Sequence, residues 1–271
     1  MNEPSRKLSV WTGFAASTGR VFSLFFARGR KARRTKVLFA FSFLPVVVSL
    51  MLRFHHVLSE SRSFDGAYYF SNIIMVFYLN LIVLILALFY GTSVCSEEVE
   101  GRTLSYLLTR PLPRPTIVLG KSLAAVLLIA EMVGVSLLFS FLALNFGHLS
   151  PVACSRLLKY GGVLFLGVLS YSAFFVFLGS ALKRSIFFGL LFSFGWENIV
   201  QYFPGSTQRL TIIHYLKSFL PEASSGRFSF LTFRLEATRP LPALLILTLV
   251  TAGFLALACL VFSKKEYLYE D

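Results

Sequence analysis

The chain has 271 residues, of which 56% are hydrophobic and only 14% charged, where an ordinary soluble domain carries about 25% charged residues. With 30 phenylalanines and a formal charge of +13, this composition argues against a water-soluble globule. Basic charge on a membrane protein reads as a topology signal and an attraction to anionic lipid, not as a nucleic-acid footprint.

Residues 1–36 form a basic arm with an amphipathic middle, in which Trp11, Phe14, Val21, Phe22, Leu24, Phe25 and Phe26 alternate with small or basic residues. The block Arg28, Arg30, Lys31, Arg33, Arg34 and Lys36 follows. An interfacial helix with an aromatic face fits this pattern, and so does a disordered basic tail. The arm is not expected to be a secretory signal, because the first long apolar run begins only near Val37, after the basic block. The first span is expected over 37–52, with a kink at Pro45, which lacks the amide hydrogen a helix interior needs. A polar loop, 53–66, leads to a second span over 68–94. At about 1.5 Å per residue that span is near 40 Å long, so it must tilt or protrude from about 30 Å of hydrocarbon. A charged hairpin, 95–121, comes next. A third span follows over 122–146 and a fourth over 161–182. The short turn Lys183-Arg184 forces an antiparallel fifth span over 185–203.

The longest loop is 204–240. Ile212, Ile213, Tyr215, Leu216, Phe219 and Leu220 fit a short amphipathic helix ended by Pro221, and Phe228, Phe230 and Phe233 add aromatic weight. A re-entrant or interfacial segment and an anchored surface loop both fit. The sixth span is expected over 241–262 and a charged tail over 263–271. The fold expected is therefore all-α and polytopic: an arm (1–36), a six-helix membrane domain (37–262) and a tail (263–271). With the arm in the cytoplasm, 17 of the 26 lysines and arginines lie on its side of the membrane and 9 on the other. The positive-inside rule then puts both termini in the cytoplasm, and the cytoplasmic (inner) membrane is the expected location. The three cysteines, Cys95, Cys154 and Cys259, match neither a disulfide framework nor a zinc site.

The hairpin is the most informative stretch. Glu97, Glu98 and Glu100 end the long second helix, and Gly101 breaks it. Residues 103–109 can form two helical turns with Leu104, Leu107 and Leu108 on one face, and Arg110, Pro111, Pro113 and Pro115 are expected to end that helix and stiffen the return. Two membrane helices would thus hold a short amphipathic helix at the membrane surface, where it can receive a push from a soluble partner. A plain charged connector is the other reading.

The pattern of Glu97, Gly101, Thr103, Leu104, Leu107, Leu108, Pro111, Arg114, Ile117, Gly120 and Lys121 resembles the signature of the ABC-2 type permeases, the membrane subunits of ATP-driven exporters. The match is dense over the hairpin, and beyond it one of layout. The resemblance implies that the hairpin is a coupling helix seated in a cleft of a separate ATPase, through Glu97, Glu98, Glu100, Gly101, Arg102, Thr103, Leu104, Leu107, Leu108, Arg110, Pro111 and Arg114. It also implies re-entrant helices in the last outer loop. ATP and magnesium are then expected on the partner chain, with no cofactor on this one. The expected partners are cytoplasmic ATPase subunits, a second permease (identical or homologous) and membrane lipid.

Other features divide into candidates and decoys. The stretch 115–122 mimics a phosphate-binding loop, but its first position is Pro115, which has no amide hydrogen, and a membrane span follows it. Glu131 in span three, and Glu197 beside Asn198 in span five, are candidate substrate-path residues, because a carboxylate at membrane depth must face protein or water. Inter-helix polar contacts are the alternative for both. Asn72 and Asn80 in span two read as helix–helix hydrogen-bond formers. The histidines (His55, His56, His148, His214) all fall in outer loops, away from any intramembrane catalytic arrangement. An ABC permease is the first functional expectation. A proton-coupled secondary transporter working through Glu131 is the alternative, although the internal repeats such carriers often show are not visible. A membrane-embedded enzyme ranks last, because the spans lack the acid and histidine constellations it needs.

Overall fold

The computed structural model describes residues 3–58, 66–100, 114–145, 151–201, 206–220 and 239–264, which are helical with short connections and contain no strand. The elements are α1 (Glu3–Lys31), α2 (Arg33–Ser42), α3 (Leu44–Leu58), α4 (Gly66–Ile73), α5 (Val83–Glu100), α6 (Arg114–Asn145), α7 (Pro151–Ala181), α8 (Ser185–Leu190), α9 (Asn198–Val200), α10 (Ile212–Ser218) and α11 (Pro240–Lys264). A π-helical segment, Ile74–Ile82, joins α4 to α5, and a second, Leu191–Glu197, joins α8 to α9.

Five helical stretches among the described residues are long and apolar enough to cross a bilayer: Arg33–His56, Tyr68–Cys95, Pro115–Asn145, Pro151–Ala181 and Pro240–Lys264. Each reaches the roughly 20 residues that hydrocarbon thickness demands. The expected fifth span is shorter than the sequence suggests. Its apolar helix, Ser185–Val200, falls below that length, and the chain turns at Gln201. The first span starts earlier than expected, because Arg33, Arg34 and Lys36 already belong to α2.

The kink expected at Pro45 falls at Phe43. There the Phe43 amide bonds Ala40 O at 3.1 Å instead of continuing the α pattern. Proline cannot donate to the carbonyl four residues back, so the helix breaks in the preceding turn. The break is supported from outside: the Ser136 hydroxyl donates to Ser42 O, and the buried Tyr78 hydroxyl bonds Ser136 and Ser140 at 2.7 and 3.0 Å.

Packing centres on α5, α6 and α7, with α11 lying along α7. Their shared core includes Leu79, Ile82, Leu86, Ile129, Val168 and Phe175, each fully buried. Without a hydrophobic drive inside lipid, helices associate by close fit at small residues. Gly179 is such a point: a Cβ there would stand 2.6 Å from the Thr92 carbonyl oxygen. The arm is a helix, not a tail. Its last third runs beside the first half of α6 in the same direction, with Val21 against Gly120, Gly29 against Leu128 and Arg30 beside Glu131.

Candidate functional site

The apex of the expected coupling hairpin, Gly101, Arg102, Thr103, Leu104, Leu107, Leu108, Arg110 and Pro111, lies outside the described residues. Its two legs do not. Glu97, Glu98 and Glu100 are in the last turns of α5, and Arg114 opens α6. The legs are joined by Lys121, which is buried at 6% exposure and donates from Nζ to Val94 O at 3.0 Å. The same ammonium lies 4.5 Å from the centre of the Phe25 ring on α1. A cation over an aromatic face is stabilised by the ring quadrupole, and the bond to the carbonyl gives the buried charge an acceptor. One side chain therefore ties the arm to both legs. A second tie runs through Tyr90 on α5, whose hydroxyl donates to Thr35 Oγ1 at 2.7 Å, while Thr35 donates to Gly29 O at 2.6 Å.

The two intramembrane carboxylates predicted from sequence are not brought together. Glu131 faces α1, where its Oε1 lies 2.8 Å from Arg30 Nη2, with the side chains 37% and 59% exposed. Glu197 is fully buried at the end of the second π segment and accepts the Ile212 amide at 3.0 Å. The Tyr171 hydroxyl and the Lys217 ammonium both act on its carboxylate. Lys217 Nζ donates to Gln201 Oε1 at 2.6 Å, and Gln201 Nε2 reaches Asn80 Oδ1 and Asn198 Oδ1 at 3.3 Å each. Burial holds the Lys217 ammonium down to about 8, and the Glu197 charge offsets part of that fall.

This node joins span two, the Ser185–Val200 helix, α7 and α10. Both π segments supply it. Asn80 donates to Met75 O and Asn198 to Ser193 O, each five residues back and each at 2.8 Å. A π segment leaves backbone geometry that an i−5 side-chain bond can satisfy, and such segments recur at functional sites. Asn80 therefore bridges helices, as its place in an apolar span suggests. Asn72 instead donates to Tyr68 O within its own helix.

Sequence reasoning missed Gln201, Lys217 and Tyr171 as members of the node. A lysine and a glutamine beside apolar runs carry no signal that separates a surface position from a buried one. Against the expectation of outer-loop histidines, His55 and His56 lie in α3, and His214 is buried on α10 beside Tyr215. The amphipathic pattern at 212–220 does describe α10: Ile213, Leu216 and Leu220 are buried. Phe228, Phe230 and Phe233 lie outside the described residues, as does His148.

A family model described as "ABC-2 family transporter protein" matches residues 29–196, more than half of the chain. No curated protein shows significant similarity to it.

Proposed function

The chain belongs to the ABC-2 family of transporter proteins, whose members are transport subunits of the membrane and not catalysts, and on that premise we propose that it is the permease half of an ATP-driven exporter. Two permeases, identical or homologous, enclose the substrate path, and two cytoplasmic ATPases hold ATP and magnesium. The hairpin 95–121 is the coupling device. Glu97, Glu98, Glu100 and Arg102 meet charges of the ATPase, and Leu104, Leu107 and Leu108 fill an apolar cleft in it. Both termini lie in the cytoplasm, and the arm rests at the inner interface.

The observation that carries this reading is the Lys121 tie. Because it bonds Val94 O in α5 and sits on Phe25, a displacement of the hairpin moves α5, α6 and α1 as one lever. The Ser185–Val200 helix is the sixth crossing, and α10 caps its outer end. Glu197 and Asn198, with Gln201 and Lys217, stand at the outer end of the path. Glu131, held by Arg30, is a helix contact, so the alternative of proton-coupled secondary transport through Glu131 loses its support.

The test is charge reversal in the hairpin. Glu98→Lys or Arg102→Glu is expected to lower both transport and transport-stimulated ATP hydrolysis while leaving membrane insertion intact. Equal pumping by a charge-reversed hairpin, or a purified complex without an ATP-hydrolysing companion, would overturn the coupling role.

A further inference from the structure

A cavity of about 300 Å³ opens between α1, α2 and the first half of α6, lined by Arg30, Lys36, Glu131, Phe39, Leu128 and Met132 among others. Its volume is at the lower end of the ~300–1,000 Å³ typical of ligand pockets. The lining is divided in two. Arg30, Lys36 and Glu131 are its charged members, and Phe39, Leu128 and Met132 its apolar ones. The Arg30–Glu131 pair is made at 2.8 Å, yet both side chains stay partly exposed, and a guanidinium with five N–H donors keeps some free for a second acceptor. Thr35 is already engaged by Gly29 O and the Tyr90 hydroxyl, so it braces the α2 wall.

The position is that of a membrane–water boundary. Lys36 is the last charge before the apolar run that starts at Val37, and Arg28, Lys31, Arg33 and Arg34 crowd the polar side. Beyond the cavity the exposed surface turns apolar: Phe39, Leu138, Phe139 and Leu142 are all exposed, and Phe139 packs on Phe43 with ring centres 5.7 Å apart. On α6, Glu131, Leu138 and Leu142 share a face by helical spacing. A polar pocket thus leads into an apolar stripe running along the spans. The two cations against one carboxylate leave a surplus of one positive charge, which matches one phosphodiester.

We propose that this cavity binds the phosphodiester head group of an anionic glycerophospholipid from the leaflet that the arm faces. Arg30 and Lys36 hold the phosphate, and an acyl chain lies along Phe39, Phe139 and Leu142. The lipid would fasten α1 to the first and third spans. The site requires only that the chain is embedded in a bilayer, so its failure leaves the coupling reading intact.

The test uses the full-length protein, delipidated in mild detergent and offered phosphatidylglycerol, phosphatidylethanolamine or inorganic phosphate, with bound lipid counted by native mass spectrometry. One phosphatidylglycerol is expected to be retained in preference to phosphatidylethanolamine. Lys36→Ala and Arg30→Ala are each expected to weaken retention about fivefold, the effect of one basic residue near an anionic lipid surface. Glu131→Gln, which removes the one acidic group, is expected to strengthen it. Lys36 is exposed, so Lys36→Ala preserves the fold and keeps the result decisive. Equal retention of phosphatidylethanolamine, displacement of the lipid by millimolar inorganic phosphate, or unchanged retention in the Arg30→Ala/Lys36→Ala double variant would overturn the proposal.

Discussion

Lys121 shows how much one buried side chain can decide. Its hydrogen bond to Val94 O gives a buried ammonium an acceptor across two helices, where an unpaired charge would be costly. Lys121→Met keeps the apolar stem, loses the charged donor and is expected to lower unfolding stability in detergent by about 1.5–3 kcal/mol, read by denaturant titration of the purified protein. Lys217 gives a pH signature of opposite sign to an ordinary surface lysine pair. Its ammonium is held down from 10.5 to about 8 by burial. Between those values the unfolded chain binds more protons than the folded one, so stability rises with pH across that window. The apparent Tm of the wild type is expected to gain on that of Lys217→Met as pH climbs from 8 towards 10.5, and parallel curves would refute this. Lys121 was singled out by its place in a sequence pattern, but nothing in the sequence names Val94 or Phe25 as its partners. Those contacts depend on how three helices come together.

At the scale of elements, the apolar runs predict their helices well because hydrocarbon demands internally satisfied backbone. The ends are less legible. Residues 151–160 look polar enough for a loop, with Arg156 and Lys159, yet α7 already begins at Pro151. Helical hydrogen bonding does not stop where the hydrocarbon does. The fit between α5 and α7 rests on Gly179, whose added Cβ would meet Thr92 O at 2.6 Å and Thr92 Cα at 3.0 Å. Both are backbone atoms that cannot turn aside, so Gly179→Ala must part the helices and is expected to cost about 1–3 kcal/mol. Gly253→Ala, where a Cβ meets nothing within 4 Å, is the matched control. It is expected to be neutral or to stabilise by up to about 1 kcal/mol through helix propensity. Equal unfolding midpoints for the two variants would show that the α5–α7 contact is looser than this geometry.

At the scale of the molecule, topology and polar connectivity are the open tests. Cys154 is exposed near the start of α7, while Cys95 is buried and Cys259 lies within α11. In the proposed orientation Cys154 faces outward. A membrane-impermeant maleimide added to intact cells is therefore expected to label a variant that keeps Cys154 and replaces the other two cysteines. Labelling only after the membrane is opened would invert the topology and place the hairpin on the wrong side for an ATPase.

The sequence by itself determined that the chain is helical and membrane-spanning and roughly where its apolar spans lie, and the 95–121 stretch pointed to the ABC-2 family. These are properties of local composition and length, which the bilayer reads one segment at a time. The tertiary structure alone decided that Glu131 pairs with the arm while Glu197 accepts the Ile212 amide within electrostatic reach of Lys217 and Tyr171. It also decided that the Ser185–Val200 helix ends short. The reason is physical: a buried charge must find a partner, but which partner it finds depends on which helix faces are brought together, and no single segment carries that information.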